Sequence, residues 1–141
     1  GLDYIVFAPG LAGATIRPTS PLPAITDQVE ITGEAGTSCT NWPPQPKIEL
    51  DGSLAGPDAA GLTVQADGSV ITGFYINRFS NLGIAIYASN VKVSCNIVGL
   101  DTAGTPAGNG NIGVLVAGNN NIVGYYVTDT GNVISANNWG I

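Results

Sequence analysis

The chemistry open to this chain is narrow, because its 141 residues hold ten carboxylates and four cations but no histidine. Without an imidazole there is no His-based triad, no His general base and none of the familiar histidine-bearing zinc sites. Cleavage of a glycosidic bond asks for two carboxylates converging across a groove. No two of the acids adjoin one another. Glu49 and Asp51 come nearest to a pair. They flank Leu50, so a strand that buries Leu50 turns both outward. Two such carboxylates can share acid–base work or hold Ca²⁺, but on an outer sheet face they are expected to be solvated polar residues. Arg78, in the stretch INRFSN, is expected about one coil above them, with Arg17 and Lys92 less well placed. A single arginine at a strand edge more often discourages lateral pairing. The sequence therefore assigns no catalytic residue and no resident cofactor. Asp101, in the loop GLDTAGTPAGNG, is the one candidate ligand for Ca²⁺, together with nearby carbonyls.

The aromatic residues suggest binding rather than catalysis. Tyr75, Tyr125 and Tyr126 fall in comparable parts of successive units, with Phe74 and Tyr87 nearby. Neighbours on a strand alternate sides, so Phe74 and Tyr75 cannot both face a core, nor can Tyr125 and Tyr126. An outward Tyr column beside Arg78 could stack on sugar rings or seal a lateral protein contact. There is no Asn-X-Ser/Thr sequon, and the Thr/Ser/Pro-dense stretches PTSP and TSCTNWPP are candidates for O-glycosylation.

What must position these residues is an internal repeat. One column is an aliphatic residue, a small or polar residue and Gly: Ile31-Thr32-Gly33, Leu50-Asp51-Gly52, Ile71-Thr72-Gly73 and Ile122-Val123-Gly124, with Val93-Ser94-Cys95 as a near-copy in which Cys95 takes the place of Gly73 and Gly124. A second column is Gly followed by alternating aliphatics at Gly61, Gly83 and Gly113, truncated at Gly140-Ile141. Alternation at Leu62/Val64, Ile84/Ile86 and Val114/Val116 is the two-residue period of a strand with one buried face. A β-sandwich also has short strands but no reason to keep two columns in register. Twenty glycines and nine prolines exclude long helices. The expectation is a single all-β domain over residues 1–141: a right-handed parallel β-helix of about five to six coils, less regular over 1–60 and clearest over 61–141. Ser69, Asn90 and Asn121 are expected to stack at one corner as a hydrogen-bonding ladder.

Several blocks carry a family resemblance, among them GLTVQADGSVITGFYINRFSNLGI, NIVGLDTAGTPAGNGNIGV and GNVISANNWGI. They resemble, in collinear order over nearly the whole chain, bacterial extracellular right-handed parallel β-helix repeat proteins of the pectin-lyase-like superfamily. The resemblance implies a right-handed coil and a secreted or cell-surface location. It also points to lyases that hold Ca²⁺ with aspartates beside an Arg or Lys base, and to glycosidases with a Gly-His-Gly element. This chain has neither that element nor adjacent aspartates. The fold itself carries enzymes, adhesins and inert stalks alike.

Composition narrows the partners. Net charge is −6, and the four basic residues do not cluster, which argues against nucleic acid. No apolar run reaches membrane-spanning length and no signal peptide is present, so the chain is expected to be a processed product or a segment of a longer polypeptide. Cys39 and Cys95 permit a disulfide without requiring one. Three repeats between them mean an axial offset of roughly 14 Å at about 4.8 Å per strand, against about 7 Å for a bridge; the expectation is no bridge unless the loop from Glu34 to Pro46 climbs.

A stack of coils leaves two flat ends that need covering, and no cap is evident here. Tyr4, Ile5, Val6 and Phe7 at one end, and Val133, Ile134, Trp139 and Ile141 at the other, are therefore the expected self-association residues. Two classes of function follow. One is a non-enzymatic extracellular building block of a filament, stalk or adhesin, joined head to tail or to flanking coils. The other is a module that binds or cleaves extracellular glycan on a lateral face.

Overall fold

The computed structural model describes residues 1–36, 39, 43–124 and 130–141. The chain winds through five rungs, about four full turns. Rung one comprises β1 (Asp3–Val6), β2 (Thr15–Ile16) and a single bridge residue, Ile25. Rung two holds β3 (Val29–Thr32), β4 (Ile48–Asp51) and β5 (Ala60–Val64). Rung three holds β6 (Val70–Thr72), β7 (Phe74–Asn77) and β8 (Leu82–Ile86), and rung four β9 (Lys92–Ser94), β10 (Ile97–Val98) and β11 (Val114–Val116). Rung five has β12 (Ile122–Val123), β13 (Val133–Ile134) and the bridge residue Trp139, paired with Ile112. Strands stack in parallel into three sheets: A, in the order β1-β3-β6-β9-β12; B, β2-β4-β7-β10-β13; and C, β5-β8-β11. The parallel β-solenoid expected from the repeat is the observed architecture.

Register turns sequence alternation into a core. Ile5, Ile31, Ile71, Val93 and Val123 stack as one inward column of sheet A. Ile16, Leu50, Ile76, Val98 and Ile134 do the same in sheet B. Val64, Ile86 and Val116 share one column in sheet C, and Leu62, Ile84 and Val114 another. Phe74 and Phe79 are the largest fully buried side chains, and Phe7 meets Phe74 edge-on at 5.9 Å. The repeated Gly of sheet C has a steric cause. A Cβ at Gly61, Gly83 or Gly113 would collide with Ile76, Val98 or Ile134, respectively, which project from sheet B.

The third sheet changes the reading of the first sequence column. Leu50-Asp51-Gly52 belongs to sheet B, not above Ile31, because the same aliphatic–polar–Gly pattern closes strands at two corners of the coil. Val93 pairs with Val123 rather than Ile122, so Gly124 does not stack on Cys95, whereas Cys95 does follow Gly73 in register. Gly73 and Cys95 both have positive φ, 81° and 61°, as the sharp corner requires.

Corner ladders tie the rungs together. Ser69 accepts from the amide of Val29, and Asn121 from the amide of Val91, both one rung below. Asn90 is not in that ladder, contrary to expectation. It sits one residue earlier, taking the left-handed turn (φ 59°). Two further ladders were not anticipated. Asn96 accepts from Phe74 N and Asn132 from Asn96 N; Asn109 accepts from Phe79 N and Asn137 from Asn109 N.

A disulfide joins Cys39 to Cys95, with their Cα atoms 6.0 Å apart. This corrects the expectation of no bridge. The offset was overcounted, since Cys39 follows β3 in rung two and Cys95 follows β9 in rung four, only two rungs apart.

Candidate functional site

Two regions place the sequence-derived residues. The first lies on the outside of sheet B, where Arg17, Glu49, Asp51, Arg78 and Asp101 gather. Glu49 and Asp51 do flank Leu50 and point away from the core, but they are not solvated. They are only 5% and 3% exposed. Glu49 accepts from the Thr15 hydroxyl at 2.7 Å and from Asn77 Nδ2 at 2.9 Å. Asp51 accepts from Arg17 Nε and from its own turn at Ser53 N, each at 3.0 Å. Arg78 stands one rung above, as expected. Its guanidinium lies 3.6 Å from Asp51, 3.8 Å from Glu49 and 3.2 Å from Asp101. The result is an axial ladder of alternating sign, Arg17–Asp51–Arg78–Asp101, with one member per rung.

The loop between β10 and β11 closes this ladder from above. Asp101 Oδ1 accepts from the amides of Ala103 and Thr105, and Oδ2 from the Thr105 hydroxyl at 2.6 Å. Both carboxylate oxygens, proposed from sequence as Ca²⁺ ligands, are thus engaged in shaping the loop. Among the described residues no group of three or more His, Cys, Asp or Glu is placed to hold a metal ion. The Thr105 hydroxyl, then its amide, then Ala103 and the Arg78 charge hold Asp101 below the usual carboxylate range. Burial pushes Asp51 up, but the hydrogen bonds from Ser53 and Arg17 and the charge of Arg78 outweigh it and leave it lowered. Every carboxylate here is bound to donors from neighbouring rungs, an arrangement suited to locking rungs together.

Tyr75 borders the cluster, half-buried and facing outward while Phe74 faces the core. Burial, followed by the charges of Glu49 and Asp101, pushes its phenol pKa up. The expected Tyr column is not built there. Tyr75 stacks between Glu49 and Ile97, and the column continues into Val133. Tyr125 and Tyr126 lie outside the described residues.

The second region is the pair of end layers. Among the described residues β1 pairs only with β3, at the outer edge of sheet A; Tyr4 and Val6 are 65% and 68% exposed, Ile5 is exposed, and Phe7 is half-buried. At the opposite end β13 is the edge of sheet B, with Val133 and Ile134 half-buried, while Trp139 and Ile141 are exposed. Among the described residues no helix is long and apolar enough to cross a membrane. Comparison with protein-family models, with curated proteins and with solved structures found no match.

Proposed function

We propose that the protein is a non-enzymatic building block of an extracellular β-solenoid assembly, a filament, stalk or surface adhesin, that lengthens along its axis by main-chain pairing at the end layers. The observation that carries this reading is the character of those layers. Each is a row of strand edges with apolar side chains in the open, the arrangement that templates further strands. The cover is a second copy or further coils of a longer polypeptide, and in either case it adds rungs. The Cys39–Cys95 bridge suits an oxidising compartment outside the cytosol. The lateral face supports a glycan reading less well, because its carboxylates and Arg78 are already committed to one another. Purified chain examined by negative-stain electron microscopy is expected to form unbranched filaments about one coil wide. Monodisperse particles of single-chain size at high concentration would overturn the reading.

A further inference from the structure

Both letters of Asn109-Gly110 are dictated by packing. Asn109 is buried, and its Oδ1 accepts from Phe79 N at 3.1 Å. Its Nδ2 donates to the Ile76 carbonyl at 3.2 Å and to Asn137 Oδ1 at 2.9 Å, so both amide protons are engaged. Glycine must follow, because a Cβ at position 110 would collide with the Ser80 carbonyl of the rung below. The pair that results is chemically labile. The backbone nitrogen after an asparagine can attack the side-chain amide carbon, and a glycine puts no side chain in the way. No other asparagine of this chain precedes glycine. Asn96, Asn121 and Asn132, which serve the other corner ladders, precede Ile97, Ile122 and Val133, whose branched side chains crowd the attacking nitrogen.

We infer that Asn109-Gly110 is a deamidation site that the folded solenoid holds shut and unfolding opens. The reaction consumes water and needs no other reagent. Gly110 N, losing its proton, bonds to Asn109 Cγ; the Cγ–Nδ2 bond breaks, ammonia leaves and a succinimide ring remains. Water then opens the ring at either carbonyl, leaving aspartate or isoaspartate. In the fold the reacting groups are restrained. Gly110 N–H donates to the Phe79 carbonyl at 2.8 Å, and the Gly110 carbonyl accepts from Asn138 Nδ2 at 2.6 Å. Turning Gly110 N onto Cγ would break these bonds together with those of the Asn109 amide. The product also fails to fit. A carboxylate at position 109 would face two acceptors, Ile76 O and Asn137 Oδ1, in a buried place, and isoaspartate would lengthen the main chain as well. A chain that stays open long enough to react therefore loses the way back to the native corner, and the pair acts as a one-way mark of unfolding.

Peptide mapping by mass spectrometry tests this at mildly alkaline pH, in native buffer and in urea. In urea, Asn109 is expected to react ahead of every other asparagine; in native buffer it should react at least about tenfold more slowly. Gly110→Ala, compared in urea where folding is not required, should remove the lead of Asn109. Unsubstituted chain, partly reacted in urea, is then diluted to refold and treated with protease. The modification should be depleted from the resistant, refolded fraction. Equal rates in native buffer and urea, or another asparagine leading in urea, would overturn the site. An undiminished lead in Gly110→Ala would do the same. Equal modification in the refolded and digested fractions would overturn the one-way mark.

Discussion

Asn96 ties the coil together from the inside, where no charged residue stands. It is fully buried, accepts from Phe74 N, and donates to the carbonyls of Ile71 and Ser94 and to Asn132 Oδ1. Truncation orphans a buried amide and a buried carbonyl in one stroke, so Asn96→Ala is expected to cost roughly 2–4 kcal/mol. Asn121→Ala, at the half-buried upper rung, should cost about 1 kcal/mol, because water reaches the groups it leaves behind. Urea unfolding of both variants checks the order, and equal losses would mean that burial does not govern the ladder. Sequence alone identified the ladder at Ser69 and Asn121 but misassigned Asn90. Asn serves both a left-handed corner and an inward ladder, and those two uses differ by one position in a motif of identical letters. Asn109, Asn132 and Asn137 were missed for the same reason, each lying beside an insertion that breaks the period.

Between rungs, the alternating ladder makes stability depend on pH. Asp51 and Asp101 are both lowered in the folded chain, so the unfolded chain takes up protons first as pH falls. Their contribution is complete above about pH 5, declines through the ordinary carboxylate range near 4 and is lost below the folded values. The urea midpoint should therefore hold from pH 7 to 5 and fall towards pH 3. Arg78→Gly keeps the positive φ of 56° accessible while removing the guanidinium. It should destabilise the chain by about 1–3 kcal/mol at pH 7 and flatten the acid slope; an unchanged slope would show that the ladder is not the cause. The position of Arg78 one coil above Glu49 and Asp51 was legible in the spacing. Their burial was not, since it comes with Thr15, Arg17, Asn77 and Arg78 engaging them from the rungs on either side, and no periodicity encodes that.

For the molecule as a whole, the solenoid was readable because buried columns recur at every coil, and the Gly of sheet C marked the period most cleanly. The third face was not readable. Sheet B is built from short strands next to long insertions, which shift its copies out of any fixed spacing. The same insertions hid the bridge between rungs two and four, and that bridge has a mechanical consequence. Pulled at its two ends, the chain can shed outer turns one by one, but a covalent tie 56 residues long in sequence shields the middle from the load. Single-molecule stretching should therefore release a contour shorter by about 190 Å in oxidising buffer than after reduction. A rope made of such units would yield at its splices before any unit unravelled through its centre.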